Sequence, residues 1–380
     1  MKIAFLTTDN REHHRRYELA EPYFGTAPEA LLQGLAAIRE AKVHVVTCTQ
    51  RPMRSPEKLA DNIWFHSLLV PKLGWLRTGY QGCIRANRRF LRQLRPDIVH
   101  GQGTERECAI SAVFSRFPNV ITIHGNMCLI SRVTGAPPFS FQWLAARLEA
   151  FTIPRSDGVV CITRYTQDAV LGRARKTWIV PNAVDLSFFD LQRAPESVKI
   201  ILCIGDIIPR KNQNAFIRAL DPLAERVSFQ VVFLGNAAPE DAYASEFFDL
   251  LKTRHWCEHA GFANRQELKK RLAKARLVVL PSLEENCPMA VLEAMAAGVP
   301  VAAANVGGVP DLIEDNVTGI LCDPTDAESM RRAAERALEN LENAQAMAET
   351  AKRQAQERFH PGVIARRHIE IYREVLSRRS

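Results

Sequence analysis

The chain has 380 residues, 47% hydrophobic and 24% charged, more than one hydrophobic core usually serves, so two globular domains are expected. Its net charge of +8 is uneven: residues 1–182 carry 25 Lys and Arg against 14 Asp and Glu, or +11, and the remainder carries −3. Disordered, collagen-like and coiled-coil chains are excluded by composition, and with no apolar run near the ~20 residues of a membrane span and no secretory signal at the start, a cytoplasmic protein is expected.

In chain order, KIAFLTT, VHVVTC, DIVHG, NVITIHG, DGVVCI and TWIVPN read as strands. TAPEALLQGLAAIRE, YQGCIRANRRFLRQLR, ERECAISAVFSRF and RYTQDAVLGRA read as helices between them. The strands are near-continuously apolar, as buried parallel strands are, and the helices can serve as right-handed crossovers, which predicts a doubly wound α/β lobe. In the second helix Arg85, Arg88, Arg89, Arg92 and Arg95 form a cationic stripe, with Ile84, Leu91 and Leu94 on another face. Just upstream, Trp75 and Leu76 stand between Lys72 and Arg77, a mixture suited to a lipid headgroup interface.

The rhythm restarts after a polar stretch, with KIILCIG, SFQVVFLG, RLVVLP, VPVAAA and TGILC as strands of a second α/β lobe and a hinge near Pro181 to Asp190. Residues 326–380 read as helical and charged, without a strand. A cleft between two such lobes, at the carboxyl ends of both sheets, is the expected ligand site. The nine cysteines are scattered, with no Cys-x-x-Cys pair, and indicate neither a disulfide framework nor a zinc knuckle.

The stretch richest in chemistry is residues 278–326. A strand ends at Pro281, a loop carries Glu284 and Glu285, and Pro288 opens the helix PMAVLEAMAAG, which contains Glu293. Both Glu285 and Glu293 can face a ligand near the start of that helix, where backbone N–H groups at Met289 and Ala290 suit a diphosphate. A carboxylate pair beside an anion site needs hydroxyl donors, and sugars supply them. Ordinary solvated glutamates at a helix start are the alternative reading of the same residues.

SLEENCPMAVLEAMAAGVPV resembles the E-x7-E signature of the retaining GT-B glycosyltransferases of family 4, and GGVPDLIEDNVTGILCDPTD resembles that family's continuation. PNAVD at the hinge and RFHPGVIARRHIEIYREVL at the end also fit, the latter like a terminal helix that crosses back onto the first lobe. The resemblance implies a GT-B fold of two Rossmann-like lobes: residues 1–184 with the terminal helix 361–380 on the acceptor side, and residues 185–360 binding the nucleotide sugar.

Carried over by position, the resemblance implies that Glu285 binds hydroxyls of the donor sugar near the anomeric carbon and that Glu293 holds the ribose. Lys211, six residues after Gly205, would neutralise the diphosphate leaving group, with Arg210 beside it. Asn286, Cys287, Pro288, Met289 and Ala290 would complete the donor site. His124 would face the sugar, and Gly25, ahead of a helix, would let backbone approach donor or acceptor. One departure stands out: the family usually has Arg directly after the glycine at position 205, and this chain has Asp206, so Arg210 is expected to supply the charge or Asp206 to turn away.

The implied reaction moves a sugar from a nucleotide diphosphate donor to an acceptor hydroxyl with retention, in cell-surface polysaccharide or glycolipid synthesis, with no metal and no other cofactor. A sugar-nucleotide epimerase or phosphorylase of similar architecture, and a catalytically silent sugar-nucleotide-binding protein, are the alternatives. The serine elbow, P-loop and dinucleotide fingerprints are absent, as is Asp-x-Asp. Partners expected are the nucleotide sugar, an acceptor glycan that is lipid-linked or a small molecule, and an anionic membrane surface at the inner face; nucleic acid is not expected, since no binding module is present.

Overall fold

The computed structural model describes residues 1–378; residues 379 and 380, the end of the expected terminal helix segment, lie outside the described residues. By internal packing the chain divides into two units, one formed by Met1–Ala183 with the segment from Pro361 onward, the other by Val184–His360.

The first unit holds β1 (Lys2–Leu6), β2 (Lys42–Thr49), β3 (Lys58–Ala60), β4 (Ile63–Leu69), β5 (Ile98–Gln102), β6 (Asn119–Ile123), β7 (Val159–Cys161) and β8 (Thr177–Ile179). They form one sheet in the order β3-β4-β2-β1-β5-β6-β7-β8, antiparallel only where β3 meets β4. Two strands escaped the sequence reading here. β4, IWFHSLL, is buried only at Ile63 and Phe65, becomes exposed at Ser67 and Leu69, and carries His66 and Ser67, so it lacks the unbroken apolar run that marked its neighbours. Between β6 and β7 the chain adds two further helices, Met127–Val133 and Phe141–Thr152, both partly exposed.

The terminal helix Pro361–Ser377 packs on the helix Thr26–Ala36 of this same unit. Contact is close because Gly34 lacks a side chain: a Cβ there would lie 2.1 Å from the Pro361 carbonyl oxygen. Leu31, Leu35, Ile364, Ala365, Ile369 and Tyr372 join the core cluster on that face of the sheet. In the helix Gln81–Leu94, Ile84 and Leu91 are buried while Arg85, Arg89 and Arg92 are exposed, which is the division that the apolar spacing requires. Trp75 and Leu76, expected from the sequence at a headgroup interface, also contribute to packing. They are half-buried against a cluster containing Val70, Tyr80 and Cys83, and the Trp75 indole N–H donates to the Val70 carbonyl at 3.1 Å.

The second unit holds β9 (Ile200–Ile204), β10 (Gln230–Leu234), β11 (Cys257–Gly261), β12 (Leu277–Leu280), β13 (Val301–Ala304) and β14 (Ile320–Cys322), in the all-parallel order β11-β10-β9-β12-β13-β14. β11, CEHAG, is the strand missed from sequence, a short edge strand that is nowhere fully buried and therefore not apolar throughout. β10, β12 and β13 are buried almost throughout, consistent with crossover helices covering both faces. All nine cysteines are free thiols. Among the described residues no helix is long and apolar enough to cross a membrane.

Candidate functional site

In the second sheet the winding reverses beside β9, which has β10 on one side and β12 on the other. Loops leaving the carboxyl ends of strands at such a point diverge and leave a crevice, where open α/β sheets bind ligands. The loops after β9 and β12 carry the residues that matter here.

After β9 the backbone passes through Gly205 at φ +149, then a single 3-10 turn, Pro209–Lys211, and Asn212 in the left-handed region at φ +60 before the helix Gln213–Ala224 begins. This turn folds the Lys211 side chain back over Gly205, where a Cβ would sit 3.2 Å from Lys211 Cε. Gly235, at the end of β10, packs even closer: a Cβ there would lie 2.2 Å from the Gly205 carbonyl oxygen.

The loop after β12 is stitched to the β9 loop. Leu283 N–H donates to the Arg210 carbonyl at 2.8 Å, and Arg210 Nη1 donates to the Glu284 carbonyl at 2.7 Å. With the loops so aligned, Lys211 Nζ lies 2.5 Å from Glu285 Oε1, and Arg210 Nη1 lies 3.5 Å from Glu285 Oε2 and 3.6 Å from Glu284 Oε2. A third loop, after β13, closes on the same residue. Gly308 N–H donates to the Glu285 carbonyl at 3.0 Å, and Gly307, at φ +53, approaches so near that a Cβ would be 1.9 Å from that oxygen.

Glu285 is thus 6% exposed, gripped by two cations at its carboxylate and by a glycine pair at its backbone. Glu284, half-buried beside it, has its carboxyl raised above the usual range, chiefly by burial. Asn286 is half-buried, Cys287 is buried, and Pro288 caps the helix Met289–Ala297, whose first-turn N–H groups at Met289 and Ala290 have no acceptor within the helix.

Glu293 belongs to a different group of charges. It is 4% exposed in the middle of that helix, and burial pushes its carboxyl up to about 8; nearby Arg265 opposes the shift and Asp185 adds to it. Arg265 Nη1 and Asp185 Oδ2 are 3.1 Å apart, and Asp185 also accepts from Ser187 N–H at the start of the helix Leu186–Phe189. The sequence pointed to PNAVD as a hinge and gave no sign that its aspartate joins Arg265 and Glu293. Asp206 turns away from the Lys211 side of its loop: its carboxylate accepts from Asn236 N–H at 2.8 Å and from Asn236 Nδ2 at 3.1 Å.

In the first unit, His124 follows β6 directly, and its Nε2 lies 2.8 Å from Gln102 Oε1 at the end of the adjacent β5. Burial pushes the imidazole down to about 4, opposed by its hydrogen bond to Asn182, so at neutral pH the ring is neutral. Gln102 was passed over in the sequence, where a lone Gln after DIVHG carries no signal. Gly25 adopts φ +92 ahead of the helix Thr26–Ala36, and the Glu29 carboxylate accepts from Phe24 N–H at 2.9 Å across that start. The nearest atom to a Cβ at Gly25 is 3.6 Å away, so backbone conformation, rather than crowding, calls for glycine there.

Residues 187–354 match the model for glycosyl transferases group 1, and residues 28–188 match that for glycosyltransferase family 4. The chain belongs to the family 4 glycosyltransferases. Its fold is GT-B, shared over 99% of both chains with sucrose-phosphate synthase from Thermosynechococcus elongatus at a TM-score of 0.79 and 18% identity. HepE of Anabaena, solved in complex with UDP and glucose, superposes over 98% of this chain and all of that one at a TM-score of 0.73 and 20% identity. In sequence, the chain is 31% identical over 175 residues to an uncharacterised glycosyltransferase of Methanocaldococcus jannaschii, 46% of this chain and 45% of that protein. It spans less than half the length of the first three curated relatives it matches.

Proposed function

We propose that the chain is a glycosyltransferase that moves a hexosyl group from a nucleotide diphosphate sugar to an acceptor hydroxyl with retention of anomeric configuration. The observation that carries this reading is the Lys211–Glu285 pair at the switch point of the second sheet, with Arg210 on the second carboxylate oxygen. A diphosphate laid over Gly205 would take Lys211 and Arg210 as counter-ions, and the negative charge that grows on it as the glycosidic bond breaks is what a fixed cation stabilises most. First-turn amides at Met289 and Ala290 add donors for the same phosphates.

Glu285, released in part from its cations by the incoming diphosphate, becomes an acceptor for hydroxyls of the transferred sugar. Glu293, with its carboxyl raised to about 8, is largely protonated at pH 7 and can both donate to and accept from the ribose hydroxyls. His124, neutral and hydrogen-bonded to Gln102, is the first-unit residue that the family resemblance assigns to the sugar. In the proposed transfer Lys211 and Arg210 supply the positive charge at the diphosphate.

Anabaena HepE, of like fold, holds UDP and glucose, which supports a nucleotide-sugar donor. Retention rests on the family resemblance, as does a role in polysaccharide or glycolipid synthesis. Thermal shift against a panel of UDP-, GDP- and ADP-sugars tests the donor: at ~100 times its dissociation constant the right one adds about 2.7 kcal/mol of stability. Proton NMR of the first product tests the stereochemistry, through the anomeric coupling constant. A panel in which no nucleotide sugar raises Tm would sink the reading.

A further inference from the structure

The first sheet has its own point of reversal, at β1, with β2 on one side and β5 on the other. Over the carboxyl ends of β4, β2, β1 and β5 lies a cavity of about 600 Å³. Its walls come from the loops that follow those four strands: Arg15 and Tyr17 after β1, Arg51 after β2, Lys72 and Trp75 after β4, and Arg106 after β5. His124 directly follows β6, the next strand beyond β5.

Four of these side chains are cations, and none of the four is in an ion pair with a carboxylate among the described residues. Glu12 is the one acid in the wall, and it is already occupied: it accepts from the Tyr17 hydroxyl at 3.1 Å and from Gln50 N–H at 2.9 Å. The loops are built rather than draped. Arg11, fully buried, pairs with Asp9 at 2.7 Å and donates to the carbonyls of Leu19, Ala20 and Arg54 and to the Ser55 hydroxyl, tying the β1 loop to the β2 loop. Across the reversal point, Arg106 Nη2 lies 2.9 Å from His13 Nδ1. Burial, with Arg106 and His14 nearby, holds that ring below the usual histidine range, which keeps it neutral and able to accept from the guanidinium.

Four cations against one carboxylate on a fixed frame raise the local concentration of anions, and guanidinium groups match phosphate oxygens two at a time. The Tyr17 ring carries the Arg51 guanidinium 5.2 Å from its centroid, and the half-buried Trp75 ring offers an apolar wall beside the charges. We infer that this cavity is the acceptor site and that the acceptor carries a phosphate group, held by Arg15, Arg51, Lys72 and Arg106. This rests on the proposed transferase reading and names the acceptor's chemistry within it. The phosphate belongs to a soluble ester or to a lipid headgroup.

Titration calorimetry with inorganic phosphate and with glycerol 3-phosphate, on the full chain, tests the site. Binding is expected, and it should fall about tenfold to a hundredfold in Arg51→Ala and Arg106→Ala and persist in Lys211→Ala, whose cation serves the donor diphosphate. Lys72→Glu, an exposed charge reversal, guards against misreading a folding defect. UDP and GDP affinity measured on the same variants separates the two proposals: it stays unchanged if only the acceptor site is damaged. Sedimentation with phosphatidylglycerol vesicles assigns the source, since recruitment lost in Arg51→Ala/Arg106→Ala means a lipid-borne phosphate, and glycerol 3-phosphate binding without recruitment means a soluble one. No phosphate binding by the wild type, or binding lost in Lys211→Ala and kept in the two arginine variants, overturns the inference.

Discussion

Lys211 Nζ and Glu285 Oε1 lie 2.5 Å apart, although 74 residues separate them in sequence. Side chains of both are mostly withdrawn from solvent, at 16% and 7% exposure. Removing Glu285 leaves the Lys211 charge unmatched, which in buried pairs costs about 3–5 kcal/mol, whereas removing Lys211 still leaves Arg210 3.5 Å from Glu285. Lys211→Met and Glu285→Gln should therefore each destabilise the fold by more than the double variant does relative to either. Urea denaturation of all four proteins gives the coupling, and strictly additive effects would show that the pair is not formed in solution.

Glu293 makes stability depend on pH in a particular direction. Its carboxyl is raised from an ordinary 4.5 to about 8 in the fold, so between those values the native state keeps a proton that the unfolded chain has lost. Stability from this group is fully present below pH 4.5 and declines as pH rises toward 8, at most by about 1.4 kcal/mol per unit. Glu293→Gln should lack that decline. Comparing denaturation of wild type and variant at pH 5, 6, 7 and 8, the variant should gain on the wild type at each step; parallel curves would contradict the raised carboxyl.

Gly307 holds Glu285 in place by being small. An alanine there meets the Glu285 carbonyl at 1.9 Å and is also strained by φ +53. Gly172 has a similar φ of +76 with nothing within 4 Å, so Gly172→Ala isolates the backbone strain alone, about 1–2 kcal/mol. Gly307→Ala should cost more than Gly172→Ala and should lower turnover as well, whereas the Gly172 variant should turn over normally. Equal stabilities would mean that the loop yields freely.

Arg210 and Asp206 should behave as opposites in nucleotide binding. Arg210 sits on the Glu285 carboxylate, and Arg210→Ala should weaken UDP or GDP binding by about 1.5–3 kcal/mol, the range for hydrogen bonds to charged groups. Asp206 is committed to Asn236, so Asp206→Ala should loosen the β10 loop by about 1 kcal/mol and leave nucleotide affinity within twofold. Calorimetry with both nucleotides separates the two; a large gain in affinity on removing Asp206 would show that its charge does face the phosphates.

Much of this was legible because parallel strands announce themselves. Buried on both faces, β1, β5, β6, β9, β12 and β13 read as apolar runs, and the turn residues after them mark where a ligand meets the sheet. Strands at or near an edge, β4 and β11, carry His66, Glu258 and His259 and so lost that signature. Glu285 and Lys211 could be picked out by position, but their pairing could not, because it depends on Gly307 and Gly235 letting three loops approach one another. Partnerships such as Asp185 with Arg265, or Gln102 with His124, join residues that are each unremarkable in sequence and are set only by strand order. The basic character of the first half was visible as a count, and only the fold gathers Arg15, Arg51, Lys72 and Arg106 around one cavity.

The claim that sugar transfer is centred on Glu285, with Glu293 serving the nucleotide, is tested most directly by measuring nucleotide affinity and the rate of nucleotide release from bound donor in Glu285→Ala and Glu293→Ala. Glu285→Ala should bind UDP or GDP within about threefold of wild type and lose at least about a hundredfold in the rate of release. Glu293→Ala should lose nucleotide affinity first. If removing Glu285 abolishes nucleotide binding while turnover of bound donor stays intact, the two roles are reversed and the account fails.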